Sequence, residues 1–476
     1  MPFIDRKDPT PYYIQVYEQI AKGIENGVYA SGNKLPSIRQ CAIELGVSNT
    51  TVELAYQRLS EEGYVVARRG SGYRICHVGT PNASREDSYP EQFASELKAL
   101  MTHEANRNAS QNLDYDFCYD SADRTLFPVA AWARVCREVF FEKGVEAACL
   151  YNDRQGLKEL RIQIANYLQS ERGINVVPEL ILIMPTTRGI VSEVLSLFDP
   201  RDTVVGMEEP GYNEVFEYLA HSGFKVENIS VYPTPDAKSI EASISGVDVL
   251  FTTPASQFPS NVSMPSDVRS MLVNWAQQNE TYIIADEYGW EFATGSSRIP
   301  PLAALDNMGR IITLGTFSNL FSPAVCLSYA VLPPKLMLKW HLKRDGSHPQ
   351  VPWQTQAAMA RFMSDDLWRS HVRKIRTITH KKREMLVNVL TKRLGDSFEL
   401  ISSMTSLFIL VCSVDGRTAD DLIRSAETKR LKVYPTMQYW PNDVSDSWNY
   451  VLVGFSGISE SEIEHAANAL ADAWLA

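Results

Sequence analysis

Ser48-Asn49-Thr50-Thr51 sets four hydrogen-bonding side chains in a row, ahead of an apolar pattern of helical spacing that runs to about Glu62 and stops at Gly63. A helix that begins this way offers open backbone amides to an anion and projects short polar side chains from its first turn. Just upstream, Leu35-Pro36-Ser37-Ile38-Arg39-Gln40 has the form of another helix start, with Ser37 and Gln40 at capping-box spacing. Far downstream, the loop Gly315-Thr316-Phe317-Ser318-Asn319-Leu320-Phe321-Ser322-Pro323 carries hydroxyls at Thr316 and Ser318 and an amide at Asn319. Hydroxyls donate and accept hydrogen bonds. The amide nitrogen is no nucleophile, because its lone pair is delocalised into the carbonyl.

The elements that must position the first group are legible. Tyr13, Val16, Tyr17, Ile20 and Ile24 form a helical stripe within residues 11–26, ended by Gly27. The helix capped by Ser37 is expected to run to Leu45, with Gly46 supplying a left-handed turn. Two helices joined through a glycine make a helix-turn-helix candidate. Residues 64–75 then read as two short strands around a basic tip, Arg68-Arg69-Gly70-Ser71-Gly72, which is a wing.

This string, from Tyr12 to Ile75, resembles the winged helix-turn-helix of GntR-family regulators, through Leu35-Pro36-Ser37-x-Arg39, Leu45-Gly46-Val47-Ser48, Thr50-Thr51-Val52, Ala55-Tyr56 and Gly70-Ser71-Gly72. The resemblance implies double-stranded DNA as partner. Asn49, Thr50 and Thr51 would reach base edges or phosphates in the major groove, and Ser48 would favour a phosphate oxygen. Arg39 would clamp the backbone, and Arg68 with the Gly70 tip would approach the minor groove. Ser37 and Ser48 read equally well as plain caps. Asn49 stands where many family members have arginine; asparagine pairs best with adenine, so a different operator preference is implied.

Bulk properties narrow the rest. A chain of 476 residues suggests about two to four domains. Its net charge of -11 argues against general coating of nucleic acid, yet residues 1–79 hold nine Lys/Arg against eight Asp/Glu, so the negative excess lies downstream. No apolar run approaches the roughly 18 residues of a membrane span. The N-terminus lacks the apolar core of a signal peptide, so a soluble cytoplasmic protein without membrane contact is expected. The seven cysteines (Cys41, Cys76, Cys118, Cys136, Cys149, Cys326, Cys412) are scattered without a CxxC pair, which indicates neither a disulfide framework nor a metal site.

The expected organisation is a DNA-binding domain over 1–78, a linker over 79–113 with a weak helix at 92–101, and a body over 114–476. Apolar runs at 180–183, 203–206, 247–252, 281–285 and 310–314 alternate with helical stretches, implying an α/β body with a largely parallel sheet. A smaller mixed unit, about 340–476, has strands near 399–401, 407–411 and 449–454.

The body resembles fold type I aminotransferase domains, specifically those of MocR-type regulators. The marks are Leu126-Phe127-Pro128 with Trp132, Tyr151-Asn152-Asp153-Arg154-Gln155-Gly156, Thr187-Arg188-Gly189, Glu209-Pro210-Gly211-Tyr212, Thr253-Pro254-Ala255-Ser256-Gln257-Phe258-Pro259, Asp286-Glu287-Tyr288 and Gly454-Phe455-Ser456. In that family a lysine forms a Schiff base with pyridoxal phosphate, and Asn319 falls at its position. The resemblance implies that Asp286 faces the pyridine nitrogen, Tyr288 and Gln257 meet the ring hydroxyl, and Tyr212 stacks on the ring. It implies that Gly189 begins a helix whose amides cradle the phosphate, joined by Thr316 and Ser318. Cys326, seven residues after Asn319, stands where the family places the phosphate arginine. Ile190 and Asn261 replace a usual hydroxyl residue and a usual glycine, and 448–453 lacks the arginine for a substrate carboxylate.

The resemblance thus implies a transcription regulator whose pseudo-aminotransferase body dimerises and senses an unidentified small molecule, with no catalytic residue and no turnover. Pyridoxal phosphate is either held there without a covalent bond or absent. A homodimer implies an operator with two half-sites. The rivals are a working aminotransferase with a DNA-binding appendage, and a body that only dimerises.

Overall fold

The computed structural model describes residues 3–6, 8–68, 72–76, 98, 113–232, 235–295, 299–343, 349–440 and 448–476. The chain divides into two compact units, Met1–Gln111 and Asn112–Ala476.

In the first unit, α1 (Tyr12–Glu25), α2 (Ile38–Leu45) and α3 (Asn49–Glu61) precede the antiparallel pair β1 (Val65–Arg68) and β2 (Gly72–Ile75). Val16, Ile20 and Ile24 of α1 and Val52, Ala55, Tyr56 and Leu59 of α3 fall at helical spacing and are buried together with Val65 and Ile75. Gly46 sits at φ 65, ψ 37, the left-handed turn between α2 and α3. The Gly70 tip, the Arg68 side chain and the weak helix expected at 92–101, apart from Lys98, lie outside the described residues.

The second unit is built on a seven-stranded sheet. In chain order, β3 (Tyr115–Asp116) is followed by α4 (Val129–Ala148), β4 (Ile181–Met184), α5 (Thr187–Leu195), β5 (Val204–Glu209), β6 (Lys225–Ser230), β7 (Val249–Thr252), β8 (Tyr282–Asp286), β9 (Ile311–Thr316) and β10 (Ser328–Val331). The sheet order is β4-β10-β9-β8-β7-β5-β6. Strands β6, β5, β7, β8 and β9 are parallel neighbours, while β10 runs antiparallel to both β9 and β4. β4 and β7 are buried at every residue, which explains their unbroken apolar runs.

The smaller sheet joins β11 (Phe398–Ser402), β12 (Phe408–Ser413), β14 (Tyr434–Pro435) and β15 (Val451–Gly454) in the order β11-β12-β15-β14, with β13 (Leu431–Lys432) paired separately to β3. Phe117 is buried in the core of this smaller unit. The chain therefore contributes residues 115–117 to it before entering the larger sheet, which the expected subdomain of 340–476 omits. Helices α6 (Trp353–Ser364) and α7 (Leu367–Leu394) link the two sheets in sequence. Among the described residues, no helix is long and apolar enough to cross a membrane, and no cluster of three or more His, Cys, Asp or Glu could hold a metal ion.

Candidate nucleic-acid interface and ligand cleft

At the start of α2, Ser37 Oγ accepts from Gln40 N at 3.2 Å, but Gln40 Nε2 turns away to Glu44 Oε1 at 2.7 Å. The expected capping box is therefore made on one side only. At the start of α3, Ser48 Oγ accepts from Thr51 N at 3.2 Å and shares a hydrogen bond with Thr51 Oγ1 at 2.8 Å. Ser48 is engaged as a cap, which leaves the amides of Asn49 and Thr50 as the open donors of the helix start. Arg39, Asn49 and Thr50 are exposed, and Thr51 is half-buried. Arg39 has no bonded partner among the described residues. The start of α3 thus presents the Asn49 carboxamide and the Thr50 hydroxyl beside two free helix amides, and the start of α2 presents the Arg39 guanidinium.

In the second unit, β8 and β9 lie side by side with Asp286 opposite Leu314, so Asp286 and Thr316 reach the same carboxyl edge of the sheet. Ligands of open α/β sheets bind at that edge. The loop after β9 is clasped from below. Phe321 meets Phe127, Trp132 and Phe362 edge-on, with ring centres 5.0, 4.9 and 5.2 Å away. His371 on α7 contacts the Leu320 carbonyl at 2.7 Å. Phe317, Leu320 and Phe321 are buried while Asn319 between them stays half-exposed. One cavity is lined by Arg172, Asp286, Glu287, Tyr288, Thr316 and Asn319, among others.

The electrostatics of this cavity are unusual. Asp286 is raised to about 7, by burial first and by its neighbour Glu287 second. The Tyr288 hydroxyl is buried without a well-aligned partner, although the Leu407 backbone amide lies near it. Tyr212 sits edge-on to Phe258 at 6.0 Å, and burial raises its hydroxyl. The Thr316 hydroxyl accepts from Ser318 N at 3.1 Å and Ser328 Oγ at 3.0 Å, so its own proton is free to donate.

Three expected contacts are corrected by the geometry. Gly189 does not begin α5: Thr186 caps that helix and takes the Gly189 amide at 3.0 Å, leaving the amides of Thr187 and Arg188 open. Gln257 is saturated by its own loop and by Pro210. Its Nε2 donates to Pro210 O and Phe258 O at 2.6 and 2.7 Å, and its Oε1 accepts from Ser260 N and Oγ at 3.2 and 2.5 Å. No donor or acceptor remains for a ring hydroxyl. Cys326 is exposed, in a left-handed conformation at φ 46, with its thiol turned to Pro323 O at 3.4 Å. Asn261, at φ 63, holds the conformation that a glycine would take and ties Nδ2 to Phe408 O at 3.2 Å. Along 448–453, Trp448, Tyr450 and Leu452 join Phe258, Phe408 and Tyr439 in an aromatic cluster.

Two buried ion pairs escaped the sequence reading. Arg172 pairs with Glu291 beneath the cavity, with its Nε and Nη1 left unbonded. Lys382 pairs with Asp123 in an adjoining cavity that Asn319 also lines. Partners so far apart in sequence leave no local signal.

The profile for bacterial regulatory proteins of the gntR family matches residues 12–75, and that for aminotransferase class I and II matches residues 116–470. The HTH-type transcriptional regulator YhdI of Bacillus subtilis is 30% identical over 99% of this chain and 98% of its own length. The chain belongs to the MocR-type regulators. The probable rhizopine catabolism regulatory protein MocR of Rhizobium meliloti is 24% identical over 99% of this chain and 96% of its own. The pyridoxine biosynthesis regulator PdxR of Corynebacterium glutamicum is 28% identical over 98% and 96%. An archaeal alanine:glyoxylate aminotransferase superposes with a TM-score of 0.70 at 21% identity, covering 79% of this chain and 94% of that one. That likeness gives the MocR-type body its fold type I architecture.

This fold family implies pyridoxal phosphate, and the cleft fits it at one end only. An unpaired, desolvated Asp286 and an unsatisfied Tyr288 hydroxyl suit a protonated pyridine ring with a hydroxyl beside it. Asn319, which lines the same cavity, offers no amine to an aldehyde, and Cys326 is exposed outside the lining and carries no charge for a phosphate.

Proposed function

We propose that this MocR-type chain is a DNA-binding transcription regulator whose body dimerises and senses a small molecule without turning it over. The observation that carries the reading is the cavity at the sheet edge: Asn319 lines it together with Asp286 and Tyr288, and no lysine is among its lining residues. This supports reading Asn319 as the residue at the Schiff-base position. The names of the relatives, all HTH-type or catabolism regulators, favour a regulator over an enzyme.

DNA recognition rests on Arg39, Asn49, Thr50 and Thr51, with Ser37 and Ser48 as caps and Arg68 and Gly70 supplied by the wing. The effector contacts rest on Tyr212, Asp286, Tyr288, Thr316 and Ser318. Dimerisation is supported by an apolar strip on and beyond the end of α4, where Phe140, Phe141, Val145, Leu150 and Tyr151 are all exposed. Monomers rarely leave such a strip in water, and a second copy of the chain covers it in this reading. Two copies present two DNA modules and call for two half-sites.

The test uses the purified full-length chain. Sedimentation should give a dimer, and operator DNA with two half-sites should bind more tightly than one with a single half-site. Pyridoxal phosphate followed by borohydride should leave no lysine adduct, and amino and keto acids should not interconvert. Enzyme-like interconversion overturns the reading.

A further inference from the structure

The outward side of α3 carries a residue that none of the roles above uses. This inference rests on the reading above that the start of α3 meets base edges in the major groove of operator DNA. Val52, Ala55, Tyr56 and Leu59 bury one side of that helix. At about 3.6 residues per turn, Thr50, Leu54, Gln57 and Glu61 fall in one stripe on the opposite side, and all four are exposed. The far half of the stripe is closed on itself. Gln57 Nε2 donates to Glu61 Oε1 at 3.0 Å, and beside it Arg58 pairs with Glu62 at 3.0 Å. The carboxylates of Glu61 and Glu62 repel phosphates at that end. The near half, Thr50 and Leu54, is open. Leu54 is 46% exposed, one turn beyond Thr50 and on the same side. Its neighbours along the stripe are polar, so the stripe offers a single apolar point rather than an apolar face.

The groups already assigned to DNA act through hydrogen bonds and charge, and a leucine has neither. In the major groove the apolar group is the C5 methyl of thymine, while adenine, guanine and cytosine present donors and acceptors. A leucine laid on those polar edges strips them of water and returns no bond, which costs free energy. Laid on a thymine methyl, it removes two apolar surfaces from water at once. Thr50 and Leu54 stand four residues apart, about 6 Å along the helix, and successive base pairs are about 3.4 Å apart. Leu54 therefore meets a different base pair from the one that Thr50 reaches.

We propose that Leu54 is a specificity-determining residue of this regulator and selects thymine at one position of each half-site by packing on its C5 methyl. Asn49 and Thr50 read hydrogen-bonding groups of their own base pairs, and the leucine reads the methyl.

The experiment titrates the full-length chain with an operator recovered by selection from a randomised duplex library, followed by fluorescence anisotropy. Each thymine in turn is replaced by deoxyuridine in both half-sites, which removes the C5 methyl and nothing else. At one position the native chain should lose about fourfold in affinity per half-site, the effect of one buried methyl. Leu54→Ala should bind the thymine operator more weakly by about that factor or more, and should show no further loss with uracil at that position. Its melting temperature, unchanged because the side chain is exposed, confirms folding. Equal uracil penalties in the two proteins at every position overturn the inference. So does a Leu54→Ala chain that binds the thymine operator as tightly as the native one. Both of these results leave the DNA-binding reading intact. A library that yields no operator overturns the inference and that reading together.

Discussion

Lys382 Nζ stands 2.7 Å from Asp123 Oδ2, with the two side chains 2% and 3% exposed. The same ammonium donates to Ser456 O at 3.1 Å. This contact ties α7 to the segment that enters the larger sheet and to the end of β15, directly beside the Asn319 loop. Burial pushes the lysine down and Asp123 holds it up, so the pair survives as charges only while both members are present.

Removing one member should therefore cost far more than removing both. Lys382→Met leaves a carboxylate buried alone and should cost ~3–5 kcal/mol of stability, whereas Lys382→Met with Asp123→Leu should recover most of it. Urea denaturation of the three proteins measures this. A single mutant within about 1 kcal/mol of the native chain contradicts the buried pair.

The DNA module separates capping from recognition. Ser48→Ala removes the acceptor for Thr51 N and should cost ~1 kcal/mol of that unit's stability. Asn49→Ala touches no cap and should leave stability unchanged while weakening operator binding by about 1–3 kcal/mol at one base pair. Asn49→Arg should move the preference at that position from adenine toward guanine. Selection from a randomised operator library reads the outcome directly.

Asp286 predicts a pH dependence. Its carboxyl is raised to about 7 in the fold from an ordinary value of 3.8. Between those values the folded chain holds a proton that the unfolded chain has released. Stability from this group is thus full below about pH 4 and falls as pH rises toward 7. Asp286→Asn should flatten that part of the profile. Thermal melts of the two proteins from pH 4 to 8 measure this.

The family chemistry supplies one more outcome. Asn319→Lys with Cys326→Arg restores an amine and a countercharge at the two positions where the cleft lacks them. Pyridoxal phosphate with borohydride should then mark Lys at 319, seen by peptide mass. An unmarked double variant shows that the cleft has changed beyond these two side chains.

Much of this arrangement was legible in the chain itself. β4, β5, β7, β8 and β9 stood out because strands buried on both faces leave unbroken apolar runs. The cap positions Ser37 and Ser48 and the Gly46 turn were read from local chemistry, and local chemistry decides them. β6 was missed because an edge strand spelled Lys225-Val226-Glu227-Asn228-Ile229-Ser230 keeps one side for water, and of its residues Ile229 is the buried one. β10 was missed because four residues after a proline loop carry no period. Gln257 was read by family position as a ligand contact, and only the distances show that its own loop and Pro210 consume all four of its hydrogen-bonding sites. Arg172 with Glu291 and Lys382 with Asp123 join residues 119 and 259 positions apart (291 − 172 and 382 − 123), beyond the reach of any spacing rule.

The clasp around Phe321 has a consequence for how such a chain can change. Three aromatic rings and a histidine packed on Phe321 fix the path of the loop, whatever side chain stands at 319. The scaffold is indifferent to its own cargo. A side chain at that point can be exchanged without disturbing the packing that holds the loop.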